Sequence, residues 1–267
     1  MDKMTPLKDI RLFLLDMDGT IYFENQLIPG AAEFIDCLIH QNKHYVFLTN
    51  NSSESGMNYV HKMSKLGIPC SKDNVFTSGM AMGIYLAENH PHKTIYLLGT
   101  QPLHQELKSY GAKIVPEDSQ QADMVVVGFD KDLTYPKLVR ACELIDGGAE
   151  FLATHPDKVC PMKNNRYIPD CGSFCEMITT ATGKKPLYIG KPNRNMVDIL
   201  AKKHHYNNNQ VGIIGDRLYT DIATGINAGS VSILVMSGET TPEILASSPV
   251  KPHYIFDSIK DIFITIQ

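Results

Sequence analysis

The sequence predicts an α/β fold organised around a mainly parallel sheet. Two observations carry that expectation. Apolar runs of strand length alternate with amphipathic, helix-length segments along the chain, a pattern that right-handed crossovers convert into a parallel sheet. Polar motifs also stand directly after several of the apolar runs, where open α/β sheets bind their ligands.

The elements follow in order. Ile10–Leu15 is short, apolar and followed at once by Asp and Gly, which reads as a buried strand. Pro29–Gln41 reads as a helix, with Pro29 near its first turn and Phe34, Ile35, Leu38 and Ile39 on one face. Tyr45–Leu48 is the next strand, and Ser55–Leu66 the next helix, stopped by Gly67. Asn74–Thr77 and Gly79–Asn89 repeat the unit. In the middle of the chain Thr94–Leu98, Met124–Val127 and Phe151–Ala153 read as strands, with helices near Pro102–Tyr110 and Tyr135–Ile145. Leu187–Ile189, Val211–Ile214 and Val231–Val235 are the later strands, separated by helices at Asn193–His204 and Tyr219–Ala228. Periodicity alone leaves open whether the middle joins one large sheet or forms its own domain.

A length of 267 residues points to about two domains. Charged residues make up 20% and the net charge is −4, a balance that argues against non-specific nucleic-acid binding. There is no polybasic run and no long apolar stretch, so no membrane contact is expected. Met1-Asp2-Lys3-Met4 leads into a strand-like run without a signal-peptide core, so the expected location is cytoplasmic. The six cysteines lack paired C-x-x-C spacing. His155, Cys160, Cys171 and Cys175 fit no standard zinc framework, and reduced thiols are expected instead.

Four motifs carry chemistry. Asp16-Met17-Asp18-Gly19-Thr20 follows the first strand. One of its carboxylates can attack and hold a cation while the other moves a proton, and Gly19 permits a tight exit from the strand. Thr49-Asn50-Asn51 follows the second strand, where a hydroxyl and amides can donate to phosphate oxygens. Lys191, in Gly190-Lys191-Pro192 after Leu187–Ile189, can neutralise a carboxylate and phosphoryl oxygens. Gly215-Asp216 ends Val211–Ile214, and Asp216 can share a hard cation with Asp16; Asp221 follows at the start of the next helix. Each motif alone is also an ordinary turn, cap or solvated loop. Each falls at the end of a separate predicted strand, which one parallel sheet would bring together, and the set is the inventory of phosphoryl transfer.

In order and content the set resembles the haloacid dehalogenase superfamily over the full chain. Phe47–Ser53, Ala153-Thr154-His155-Pro156-Asp157, Ala181–Pro186 and Gly190-Lys191-Pro192 are similar to the NagD-like, 4-nitrophenylphosphatase branch, which includes phosphoglycolate and pyridoxal phosphatases. The resemblance implies a Rossmann-like core with an inserted α/β cap, the core being residues 1–89 with 185–267 and the cap 90–184. It implies an Mg2+-dependent phosphatase acting on a small phosphate ester through an aspartyl-phosphate. Asp16 would be nucleophile and metal ligand. Asp18 would be general acid and base, with its carbonyl on the metal. Thr49, Asn50, Asn51 and Gly19 would line the phosphate, Lys191 would neutralise it, Asp216 would complete the metal ligands, and Asp221 and Gly215 would support the site. A homodimer through the cap is compatible with it. The branch more usually has Asn or Asp where His155 stands, and the turn Pro169–Ser173 resembles a substrate-facing cap segment. Competing readings are a phosphomutase, whose cap lies between the first two motifs, and a phosphoacceptor module, which lacks an acid at the position of Asp18. The physiological substrate stays open.

Overall fold

The structure is a computed structural model that describes residues 5–162 and 166–267. Met1–Met4, on which the reading of the leader rests, lie outside the described residues. The chain divides into two compact units. The first comprises residues up to Thr49 with Gly56–Phe76 and Lys191–Gln267, and the second Asn50–Ser55 with Thr77–Gly190.

β1 (Leu12–Asp16) is buried along its apolar length, as a strand covered on both faces must be. A small hairpin follows, β2 (Tyr22–Phe23) with β3 (Gln26–Leu27). α1 (Ala31–His40) turns Phe34, Ile35 and Leu38 inward at helical spacing. β4 (His44–Thr49) pairs in parallel with β1. α2 (Gly56–Lys65) and β5 (Val75–Thr77) complete that side of the sheet. α3 (Ser78–Asn89) begins on Thr77, whose hydroxyl accepts the Met80 amide in an N-cap.

The second unit is built on a five-stranded parallel sheet. In chain order its elements are β6 (Thr94–Leu98), α4 (Gln101–Ser109), β7 (Lys113–Ile114), β8 (Met124–Val127), α5 (Tyr135–Asp146) and β9 (Glu150–Ala153). They continue with the antiparallel pair β10 (Val159–Met162) and β11 (Arg166–Pro169), then α6 (Cys171–Thr182) and β12 (Leu187–Tyr188). The sheet order is β12-β9-β8-β6-β7, and its core gathers Tyr96, Val125, Val127, Phe151, Phe174 and Ile178.

The chain then returns through α7 (Asn195–Lys203), β13 (Val211–Gly215), α8 (Ala223–Ala228), β14 (Val231–Val235), α9 (Pro242–Ser247), β15 (Tyr254–Phe256) and α10 (Ile259–Ile266). The first unit's sheet runs β15-β14-β13-β1-β4-β5, parallel in its pairings from β15 to β4. The chain leaves β1 toward β4 and β5, then comes back to β13 on the other side, which makes the end of β1 a topological switch point.

Three expectations about individual elements are corrected here. Leu187–Ile189 does not join the sheet of Asp16: β12 pairs with β9 in the second unit, because this short, half-exposed strand finds its ladder at that sheet's edge. Tyr219–Ala228 is not one helix but a wide π-type turn, Leu218–Ile222, running into α8. Pro169–Ser173 is not a turn: Pro169 ends β11, and Asp170 caps α6, accepting the Cys171 amide. Within the second unit α3 packs on α4 and on Tyr110, which follows it, and β12 closes the edge of the second sheet. β8 lies in a different sheet from β1. Among the described residues no cysteine forms a disulfide. No helix among the described residues is long and apolar enough to cross a membrane.

Candidate active site

Strand register sets the frame within the first unit. Asp16 lies beside Leu48, and Leu15 beside Ile214, so Asp16, Thr49 and Asp216 leave three adjacent parallel strands at the same end. Lys191, the first residue of the returning chain, is buried and reaches this end from outside the sheet. Its Nζ donates to Asp16 Oδ1 at 2.5 Å and to Asp221 Oδ1 at 2.6 Å. Asp221 is fully buried inside the π-type turn, and its second oxygen accepts the Arg217 amide at 3.1 Å. It is thus an interior partner of Lys191 rather than a surface charge on a helix end.

Asp216 accepts the Glu239 amide on Oδ2 at 2.7 Å, while its Oδ1 is buried and has no hydrogen-bond partner among the described residues. Among the described residues Asp16, Asp216 and Asp221 form a group whose carboxylate oxygens lie within 4.8 Å of one another. One ammonium bridges two of these three carboxylates. Burial first, then Asp221, raise Asp16 well above the usual carboxylate range, and the same causes push Asp216 up to about 6. Lys191 is nevertheless held charged, because Asp16 and Asp221 outweigh the cost of burying it. Arg217 draws both aspartates down, but with Glu239 also present four carboxylates meet two cations, so negative charge is in excess. That surplus, with the orphaned Asp216 oxygen, fits a divalent cation among oxygen ligands.

The glycines expected in the site serve close approach. Gly19 has φ +81°, and a Cβ there would lie 2.5 Å from Asp216 Oδ2. A Cβ on Gly215 would lie 2.3 Å from the Asp221 side chain. Asp18 is exposed, and its Oδ2 accepts the Tyr22 hydroxyl at 3.3 Å. Desolvation of the carboxyl by the groups packed round it raises its pKa against the pull of Lys62 and Tyr22. Lys62 stands over the Tyr22 ring, 3.7 Å from its centroid.

Asn50 and Asn51 are counted with the second unit. The Asn50 amide donates to the Asp157 carboxylate at 3.2 and 3.3 Å. Asn51 Oδ1 accepts the Ser53 amide and hydroxyl at 2.9 and 2.8 Å, an Asx turn.

Sequence reasoning missed the segment Ser237–Thr240. Ser237 donates to the Gly19 carbonyl at 2.7 Å, Thr240 donates to the Asp216 carbonyl, and Glu239 pairs with Arg217 at 2.8 Å. Its place directly after β14 was the available signal. Tyr22 and Lys62, which surround Asp18, were also missed, and no local motif marks them.

A parallel sheet with a switch point at β1, bearing an aspartate–lysine cluster at its strand ends, defines a hydrolase of the haloacid dehalogenase type. Comparison with known proteins gives the same answer. Residues 13–113 match a haloacid dehalogenase-like hydrolase model, and residues 188–262 a HAD-hydrolase-like model. The chain is 34% identical to an acid sugar phosphatase of Staphylococcus saprophyticus over 96% of its own length and 98% of the relative's. It is 32% identical to the 5'-nucleotidase YutF of Bacillus subtilis over 96% and 98%. The crystal structure of a 4-nitrophenylphosphatase from Thermotoga maritima superposes with a TM-score of 0.93 at 42% identity, covering 98% of this chain and 99% of that one. The chain belongs to the haloacid dehalogenase-like hydrolases, in the branch of NagD and the 4-nitrophenylphosphatases. It is an enzyme of the phosphatase type.

Proposed function

We propose that this phosphatase is Mg2+-dependent, takes a small organic phosphomonoester and works through an aspartyl-phosphate on Asp16. The observation that carries the reading is the Asp16–Lys191–Asp221 bridge beside the unpartnered, buried Asp216 oxygen. Asp16 and Asp216, with the backbone carbonyl of Asp18, would hold the cation. When bound, it supplies positive charge that lets an anionic nucleophile meet an anionic phosphate.

The remaining work falls to the chain. Lys191 fixes Asp16 Oδ1 and leaves its other oxygen for attack on phosphorus. The bond from phosphorus to the ester oxygen breaks as the Asp18 carboxyl hands its proton to that oxygen, releasing the alcohol. Asp18, now a carboxylate, takes a proton from water as that water attacks phosphorus, and inorganic phosphate and free Asp16 result. Thr49, Asn50, Asn51 and Gly19 are proposed to line the phosphate, the first three as donors to its oxygens. The second unit, roughly the segment expected as the cap, is proposed to select the substrate and exclude water. A homodimer through that unit belongs to the same reading, and light scattering on the purified protein decides it.

The test is hydrolysis of 4-nitrophenyl phosphate by purified protein. Activity should vanish in EDTA and return with magnesium, and calcium should inhibit, since it tolerates irregular coordination where magnesium demands an octahedron. Full activity after exhaustive chelation removes the metal from the mechanism. A panel of sugar phosphates, nucleoside monophosphates, phosphoglycolate and pyridoxal phosphate then assigns the substrate.

A further inference from the structure

The segment Asn50–Ser55 leaves β4 directly after Thr49, yet its hydrogen bonds run into the second unit. The Thr100 hydroxyl donates to the Ser53 carbonyl at 2.9 Å. Ser52 Oγ accepts the Phe129 amide at 3.0 Å and lies 3.1 Å from Thr154 Oγ1. Asp157 accepts the Asn50 amide.

His155 stands at the centre of these anchors and is fully buried. Its Nδ1 is 2.9 Å from Thr154 Oγ1, and its Nε2 is 3.0 Å from Asp170 Oδ1. Asp170 Oδ1 also caps α6 through the Cys171 amide, and the next amide, Gly172, donates to the Asp157 carbonyl at 2.8 Å. The start of α6 thus grips His155 and Asp157 together. Burial opposes charge on the ring, but the Cys171 sulfur, Asp170 and Asp157 outweigh it and raise its pKa to about 9. Both ring nitrogens then donate, the Thr154 hydroxyl donates to Cys171 Sγ at 3.7 Å, and the Ser52 hydroxyl, which accepts the Phe129 amide, has its own proton for Thr154. Asp157, an acceptor only, can engage the NH2 end of Asn50 but not its carbonyl end, so it decides how that amide is presented.

We propose that His155, held by Asp170, is a positioning residue that presets the phosphate-binding segment Asn50–Ser55 through Thr154–Ser52 and Asp157–Asn50. The proposal rests on the phosphatase reading above.

Two variants cut the line at different points. His155→Gln keeps a donor for Asp170 but none for Thr154, and Ser52→Ala removes the far hydroxyl without touching the buried charge. The readouts are the competitive Ki of inorganic phosphate, KM and kcat on 4-nitrophenyl phosphate, and amide hydrogen exchange. Each variant should raise Ki and KM about tenfold, the scale of one lost buried hydrogen bond, with kcat changed by less. The double variant should be no worse than either alone, because both sever one path. Exchange across residues 50–55 should quicken about tenfold or more while that of the β1–β13 ladder stays unchanged. Wild-type Ki and exchange in either folded variant overturns the proposal, as do single effects that multiply to about a hundredfold. If His155→Gln does not fold, Ser52→Ala decides alone. A wild-type protein that hydrolyses no phosphoester removes the phosphatase reading, and the exchange comparison then decides the positioning by itself.

Discussion

Replacing Lys191 by methionine removes an ammonium that sits 2.5 and 2.6 Å from two carboxylates. The side chains of Lys191 and Asp221 are 4% and 1% exposed, and that of Asp16 is 16% exposed. Methionine preserves most of the volume, so the loss is electrostatic. Removing one partner of a buried ion pair costs about 3–5 kcal/mol. For a chain of this size each kcal/mol moves the melting point by about 2–4 °C. In EDTA, Lys191→Met should therefore melt about 6–20 °C below the wild type, toward the lower end because solvent reaches Asp16. Magnesium should protect the variant more than the wild type, since three carboxylates then face the cation with no competing ammonium. Turnover should still fall by about 10²–10³-fold, as it does when a preorganised electrostatic donor is lost. Calorimetry with and without magnesium, beside steady-state assays, reads all three quantities. A variant that melts within about 2 °C of the wild type in EDTA, or that gains less from magnesium, refutes the picture of one ammonium restraining Asp16 and Asp221.

Other perturbations reach different parts of the molecule. Gly19→Ala forces a Cβ against Asp216 Oδ2 at positive φ, so magnesium affinity measured by calorimetric titration should fall while the second unit's melting is untouched. Glu106, whose Oε2 accepts the Thr77 hydroxyl at 3.2 Å, is pushed up to about 6 by burial. The folded state then holds a proton that the unfolded state releases near 4.5, so stability falls as pH rises between those values. Glu106→Gln, which keeps the acceptor, should stabilise by up to about 2 kcal/mol at pH 8 and by nothing at pH 4, as chemical denaturation at the two pH values would register. Asp18→Asn should cost roughly 10²–10⁴-fold. With an alkyl phosphate, whose alkoxide leaves badly, the first step suffers most. With 4-nitrophenyl phosphate a burst of nitrophenol should precede slow turnover, and near-normal steady turnover of alkyl phosphates would show that another group moves the proton.

The parts of the fold legible in the sequence are those where burial on both faces leaves one residue type. The runs Thr94–Leu98, Met124–Val127 and Val231–Val235 appear at the expected bounds, and the apolar run ending in Asp16 is β1. α6 was hidden because Gly172, Thr179, Thr180 and Thr182 are weak helix formers, and its start at Asp170 imitates a turn. The exposed strands β10 and β11, with Pro161 and Pro169, carry no alternation to read. In the site, Asp16, Asp216 and Asp221 were legible as acids at or beyond strand ends, and Lys191 as a lysine beside them. Its route was not, since nothing local says which of two parallel sheets β12 will join. Ser237–Thr240 acts through long-range hydrogen bonds to Gly19 and Asp216, which one sequence does not display, and the Tyr22–Asp18 bond spans four residues in a segment with no regular period to place it.

The central claim is a phosphoryl group on Asp16. Asp18→Asn protein mixed with magnesium and 4-nitrophenyl phosphate, quenched in acid during the slow phase and digested for mass spectrometry, tests it most directly. The account predicts the mass of one phosphoryl group on the peptide that contains Asp16, and none when Asp16→Asn is added. Burst nitrophenol with no labelled peptide, or a label on any other residue, would contradict it.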